Sequence, residues 1–364
     1  WRHARELLRH EPRAPATDRL RVQIGGGLLQ LGWREGLATE ELNQLVDETV
    51  SFAGEADRGR VQLLLVTQGR VLHGNGGSAD EYVKAVRRAI ELGAINQGRE
   101  ALLQVALSQA YLWAGLLREA LAASDWASVG IASVDAADRA VLGFDPERWL
   151  LSLRTRVLIR MLRLDEAEDC LRRMDEIGAA GEDPILGQLA RHYGIEVAWW
   201  RSNTAQAEHY AQAGAQVAQT GSNPYSKVLM RWADSIVALL VHDLARANRG
   251  LSDALELIRT MRVAVEMEDE LLAWTAECHV FAGDLRNALG TAKQTIDLAR
   301  QRGHRISECR GLIVWGSVRA REGGDGARLA QQLFVRAEQL IAETGAVICE
   351  DALRRGRALL TPSA

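Results

Sequence analysis

Eight histidines and four cysteines are the residues of this 364-residue chain that could ligate a metal. Their spacing argues against it. His279 follows Cys278 directly, and adjacent residues on a helix point away from one another. His304 and Cys309 stand five apart and miss the shared i,i+4 face, and His192 and His209 have no local ligand partner. Structural zinc sites take paired ligands at short, regular spacings, so no metal site is expected. GNGGSAD at 74–80 is glycine-rich but lacks the lysine of a GxxxxGK[ST] phosphate loop, which makes it a turn followed by a helix cap. Asp165, Glu166, Glu168 and Asp169 stand where a solvated helix starts, and acids there complement the helix dipole. Spacing supports no Ser-His-Asp or Cys-His arrangement. No catalytic residue and no cofactor are expected.

The elements come next. Leu, Ala, Arg and Glu dominate, prolines number only six, and that composition favours helix throughout. A chain of this length exceeds one compact core, which leaves two domains or one extended array. The net charge of −4 exerts no general pull toward nucleic acid or an anionic membrane. Arg2, Arg5, Arg9 and Arg13 cluster, but acids interleave, so they read as a solvated face. The longest apolar runs, such as Ile236 to Val241, are far too short to span a bilayer. Cys170, Cys278, Cys309 and Cys349 lie far apart inside helical patterns and read as reduced, buried thiols of a cytoplasmic protein. No signal peptide is visible, and an opening on Trp1 suggests a fragment or a processed chain.

Residues 1–36 read as two helices joined around Pro12 and Pro15. Gly25-Gly26-Gly27 lie inside the second, each costing about 1 kcal/mol relative to alanine, and predict a kink or an irregular end. Thr39 opens a helix to about Ala53; a longer one follows to about His73, and Gly74 to Gly77 break it. Ser78-Ala-Asp-Glu81 is a capping-box pattern in which Ser78 accepts the Glu81 amide, opening a helix that ends near Leu92. Between Ala106 and Ala127, two helical patterns flank Gly115, with small residues at Ser108, Ala120 and Ala127 and large ones at Leu107, Tyr111 and Leu117. Asp145-Pro146, Asp183-Pro184 and Asn223-Pro224 pair an N-cap with proline at the first helical position. Gly181, Gly221, Gly303 and Gly345 close helices, with one glycine missing near Met261. The interhelix alanines Ala120, Ala167, Ala207, Ala247 and Ala288 recur at intervals of 47, 40, 40 and 41 residues. A last pair places Gly316 in the small-residue slot and Gly323-Gly324 at the turn, and a final helix covers Ile348 to Leu360.

The order small residue, aromatic, glycine, alanine resembles the tetratricopeptide repeat. The expected fold is all-α: a right-handed TPR-like superhelical solenoid of antiparallel helix pairs. Residues 1–94 form atypical repeats, 95–345 regular ones and 346–364 a capping helix and tail, all in one continuous solenoid. In a TPR superhelix the first helices line a concave groove. Trp113, Trp149, Trp199, Trp200 and Trp232 fall on first helices. Counting back from the alanines, Trp113 and Trp200 share a slot that Arg160 takes in the intervening repeat, with Arg156 one turn earlier. Repeated Trp and Arg suit a peptide or partner-helix site. Packing between repeats is the other use of these rings.

Several longer phrases resemble the C-terminal helical region of bacterial class III adenylate/guanylate cyclases that also carry a STAND-type ATPase domain. They are LLQLGWREGLATEE at 28–41, GGSADEYVKAVRRAIELG at 76–93, AYLWAGLLREAL at 110–121, GFDPERWLLSLRTRVLIRMLRLDEAE at 143–168 and AETGA at 342–346. Related repeats occur in MalT-like ATP-dependent transcription activators. In the cyclase family the catalytic and P-loop domains precede such repeats, and no P-loop motif lies within these residues. MalT-like proteins place a helix-turn-helix after the repeats, whereas here the chain stops after its last helix. The resemblance implies a non-catalytic scaffold or regulatory region that binds a protein or peptide partner, or upstream domains of its own chain, but neither nucleic acid nor membrane. The alternative it implies is a small-molecule-sensing solenoid of a MalT-like regulator.

Overall fold

In the computed structural model every regular element among the described residues is helical. The structure describes the chain apart from residues 36–38, 55–57, 137, 140–144, 179–183, 221–223 and 361–364. The helices are α1 (Arg2–Arg9), α2 (Pro15–Glu35), α3 (Thr39–Phe52), α4 (Arg58–Gly74), α5 (Ala79–Glu91), α6 (Gln97–Ala114), α7 (Leu117–Gly130), α8 (Pro146–Arg160) and α9 (Leu164–Gly178). They continue as α10 (Pro184–Trp200), α11 (Thr204–Thr220), α12 (Pro224–Leu240), α13 (Leu244–Met261), α14 (Glu268–Phe281), α15 (Leu285–Arg302), α16 (Arg305–Ala320), α17 (Gly324–Thr344) and α18 (Glu350–Ala358). Short 3₁₀ turns cover Ile131–Ser133, Val265–Met267 and Val347–Cys349. From α2 onward the helices pack as consecutive antiparallel pairs, each stacked on the next, and α18 closes the end.

The interhelix alanines set the spacing. Ala120, Ala167, Ala207, Ala247 and Ala288 are all completely buried, and Ser108 Oγ donates to the Ala120 carbonyl at 2.8 Å. Gly316 plays the same part in the last pair, where a Cβ would stand 2.5 Å from the Phe334 ring. One apolar core runs from Ala79 to Leu353, and a smaller one gathers α2–α4 with Ala89 and Leu103. The four cysteines are free and buried. No helix of the described residues is long and apolar enough to cross a membrane.

Local chemistry accounts for the helix ends. Asp145 accepts the Arg148 amide at 2.9 Å behind Pro146; Asp183, Asn223, Gly181 and Gly221 lie outside the described residues. Gly115, Gly303 and Gly345 adopt left-handed C-caps, and where the missing glycine was noted, Arg262 takes that conformation at φ +53°. A second periodic position was not apparent in the sequence. Leu162, Ser202, His242, Gly283 and Gly323 all have positive φ in the turn within each pair, although only two are glycine. The next residue, as Asn203, Asp243 or Asp284, then caps the second helix.

Three expectations need correction. Helix α2 runs through Gly25-Gly26-Gly27 without ending, because the glycines serve as contact surface: a Cβ on Gly25 would overlap the Thr49 side chain, and one on Gly27 would stand 2.9 Å from the Trp1 ring. Ser78 Oγ accepts from Asp80 N at 3.2 Å rather than from the Glu81 amide, and Glu81 pairs with Lys84. The basic N-terminus is only partly a solvated face. Arg5 pairs with Glu48 of α3, and the Arg13 and Arg21 guanidiniums lie 5.0 and 4.8 Å over the Phe52 ring.

The winding is tight enough that its end meets its beginning. Arg305 donates to the Ala114 carbonyl at 2.7 Å and pairs with Asp80 at 3.3 Å, and Arg118 donates to the Ala342 carbonyl at 3.1 Å. The ends of α5–α7 therefore touch the ends of α16 and α17.

Candidate functional site: a charged lumen

Helix α8 carries Arg156 and Arg160 one turn apart, so both project from one face. That face looks across the axis at α14. Arg156 and Arg160 both pair with Glu270, more than 100 residues away in sequence. Arg160 also donates to Glu196 of α10 at 2.6 Å. The Arg156 guanidinium lies 4.3 Å over the Trp113 ring of α6. On α16, Arg310 makes a two-pronged pair with Glu277 at 2.8 and 2.9 Å and lies 4.6 Å over the Trp274 ring. Trp113, Arg156, Arg160, Glu270 and Arg310 line a cavity of about 30 Å³, room for about two waters.

Beside it, a chain of rings joins the first and last parts of the solenoid. His304, just ahead of α16, approaches Asp269 through Nδ1 at 2.9 Å and His73 through Nε2 at 2.8 Å. The carboxylate only accepts, so His304 Nδ1 carries the hydrogen, and one hydrogen is shared between the facing Nε2 atoms of His304 and His73. Trp113 stacks on His304 with ring centroids 5.4 Å apart. Arg302 pairs with Asp269 at 3.2 Å and Glu268 at 3.1 Å.

Burial opposes charge on Glu270, Glu196 and Asp269, and their partners overcome it. Burial works against ionisation of Glu270 and Glu196, yet Arg156 and Arg160 hold Glu270 below its ordinary value, and Arg160 with His192 does the same for Glu196. Burial also disfavours the Arg160 cation, but Glu196 and Glu270 outweigh it and raise its pKa. Asp269 is buried too, and His304, Ser307 and Arg302 bring it down to about 2. Burial, then the neighbouring His304, pushes His73 well below the ordinary histidine value.

Ser307, His304 and Asp269 adjoin without forming a nucleophile–base pair. The Ser307 hydroxyl bonds to Asp269, and the His304 nitrogen left to serve as base is occupied by His73. The cavity wall presents guanidinium, indole, hydroxyl, imidazole and carboxylate groups beside the apolar Leu112 and Ile306. Among the described residues no group of three or more His, Cys, Asp or Glu is arranged to hold a metal.

Of the seven residues singled out in the sequence, Trp113, Arg156 and Arg160 come together around this cavity. Trp149, Trp199 and Trp200 are half-buried against the repeat core, with Trp199 set edge-on to Trp274 at 5.5 Å. Trp232 is no surface residue: it is 1% exposed and lies 4.5 Å from the His192 ring. It stands eight residues before the Trp113/Trp200 slot, about 80° around the helix. His192 does have a local partner, Glu196, at 3.2 Å one turn on. Glu270, His304, His73, Arg310 and Trp274 were not singled out. Their distance from α8 in sequence hides them, and an acidic first turn such as Glu268-Asp269-Glu270 reads as a complement to the dipole.

No protein-family model and no curated protein matches the chain. Solved structures do. A Rap protein complexed with competence and sporulation factor superposes with a TM-score of 0.66 over 95% of this chain and 99% of that one, at 9% identity. A STAND protein with a tetratricopeptide repeat sensor from Pyrococcus horikoshii gives 0.47 over 93% of this chain and 53% of its own, at 11% identity. A tetratricopeptide repeat protein from Parabacteroides merdae gives 0.44 over 81% and 98%, at 13% identity. At such identities the likeness concerns the fold alone: this chain is an all-helical, TPR-like solenoid of stacked helix pairs.

Proposed function

We propose that this chain is a non-catalytic interaction module whose inward helix faces bind a peptide segment from a partner protein or from another domain of its own polypeptide, with one side chain of that segment reaching the cavity. The observation that carries this is the meeting of Trp113, Arg156 and Arg160 at a cavity on the superhelix axis. Rigid indoles and planar guanidiniums dominate binding hot spots. Trp149, Trp199 and Trp200 pack half-buried against the core on α8 and α10, and Trp232 belongs to the core. The Rap protein of similar fold was solved in complex with competence and sporulation factor, which supports the reading. The phrases resembling cyclase–STAND proteins add a finer expectation: the module regulates a signalling ATPase or nucleotide cyclase.

A small-molecule sensor of the MalT-like kind has less support. The Trp113–Arg156 cavity of about 30 Å³ is far below the roughly 300–1,000 Å³ of drug-sized sites, and the roomier pocket among the described residues, about 230 Å³ between α1, α2 and α3, lies away from it.

The test is selection from a phage-displayed heptapeptide library, followed by titration of enriched peptides against the wild type and Trp113→Ala. Tryptophan truncation at a hot spot costs about 2 kcal/mol or more, so roughly 30-fold weaker binding is expected. Failure to enrich any peptide whose binding depends on Trp113 refutes the proposal.

A further inference from the structure

We propose that the lumen cavity is a carboxylate receptor, and that Glu270 is its built-in occupant. The inference deepens the peptide reading and rests on it. Three guanidiniums, Arg156, Arg160 and Arg310, reach the cavity wall, against one carboxylate, Glu270. Arg160 is held by Glu196, and both prongs of Arg310 are taken up by Glu277. Glu270 alone is shared, serving Arg156 and Arg160 from the far side of the axis.

The dimensions and chemistry agree. Room for about two waters is also room for one carboxylate group. Leu112, Trp113 and Ile306 provide apolar wall for a short aliphatic stem. A guanidinium has five N–H donors in a planar fork that matches a carboxylate, and Arg156 engages Glu270 through Nη2. Stacking on Trp113 fixes the plane of that fork before any ligand arrives. Burial opposes charge on Glu270, yet its two arginines keep it ionised, so the surroundings stabilise a buried carboxylate in general. An incoming carboxylate takes the place of Glu270 on Arg156, while Arg160 keeps Glu196. The link between α8 and α14 then opens, and occupancy of the lumen is coupled to closure of the ring.

The carboxylate can come from an acidic side chain or from a peptide C-terminus, and three pentapeptides labelled with a carboxylate-free BODIPY fluorophore separate these sources. The first has a central glutamate between alanines and an amidated end, the second replaces glutamate by glutamine, and the third is the glutamine peptide with a free C-terminal carboxylate. Fluorescence anisotropy is expected to show one of the two carboxylate peptides binding at least about tenfold tighter than the neutral one, about 1.4 kcal/mol. Whichever does so names the source. Arg156→Gln abolishes the preference, and Arg156→Lys, which keeps the charge in a fold less disturbed, reduces it. Glu270→Gln removes the competitor and tightens binding of the preferred peptide about tenfold; a merely structural Glu270 would leave binding unchanged or weaker. Equal binding of all three peptides, lost in Trp113→Ala, overturns the carboxylate receptor and leaves the peptide module standing. No saturable binding of any of the three also overturns the receptor, while the phage selection judges the module separately. Weaker binding to a folded Glu270→Gln protein overturns the built-in occupant.

Discussion

The pair across the axis yields the sharpest test of how the ring is held. Arg156 and Glu270 side chains are 6% and 9% exposed, so neither charge is solvated when its partner goes. Replacing Glu270 by methionine leaves Arg156 with the Trp113 face alone, and breaking a buried pair in this way costs about 3–5 kcal/mol. Arg156→Met costs less, about 1.5–3 kcal/mol for one lost charged hydrogen bond. Glu270 keeps Arg160, and the methionine sulfur still packs on the indole. With both replaced, no charge of this pair is stranded, Arg160 retains Glu196, and stability returns to within about 1.5 kcal/mol of wild type. The double-mutant cycle then gives a coupling of at least about 3 kcal/mol. Urea unfolding followed by far-ultraviolet circular dichroism at pH 7.5 measures all four proteins. Additivity within about 0.5 kcal/mol, the behaviour of independent sites, would falsify the claim that Arg156 and Glu270 hold α8 to α14.

Other consequences follow from the same coordinates. His73 has a depressed pKa in the folded chain, so below about pH 6.5 the unfolded chain binds a proton that the native one refuses, and stability falls by up to about 1.4 kcal/mol per pH unit. Melting curves from pH 7.5 to 5.5 should show this fall, reduced in His73→Gln; identical slopes would exclude His73 as the cause. Leu162 and Arg262 hold left-handed backbone, which costs a residue with a Cβ about 1–2 kcal/mol. Glycine at either site should raise the urea midpoint, and a lowered midpoint at both would contradict the turn geometry. Ala120 and Ala288 have no exposed surface, so leucine at either overpacks the helix contact and costs about 1–3 kcal/mol. Unchanged melting of both variants would show that the alanine register is wrong.

The architecture was legible because repetition amplifies weak local signals. One buried alanine proves nothing, but five at nearly constant spacing require the same helix pair each time, and all five are fully buried. Proline and capping side chains act within one turn of chain, so Asp145-Pro146 could be placed from sequence and was. The other periodic position escaped notice because Leu162, Ser202 and His242 are not residues that advertise a left-handed backbone. The glycine triplet misled for a related reason. Helix propensity counts what glycine costs its own helix, whereas here the missing side chains admit Thr49 and Trp1 from elsewhere.

The candidate site divides along the same line. Arg156, Arg160 and Trp113 could be named from slot counting, because periodicity says which face of a helix looks inward. It does not say what stands opposite. Whether that face meets solvent or another helix depends on how far the superhelix turns per repeat, a small angle accumulated over every pair. Here it brings Glu270 onto Arg156 and His304 onto His73. Local sequence by itself determined helices, pairs and inward faces; the accumulated winding, visible only in three dimensions, decided that the inward faces meet in a charged lumen.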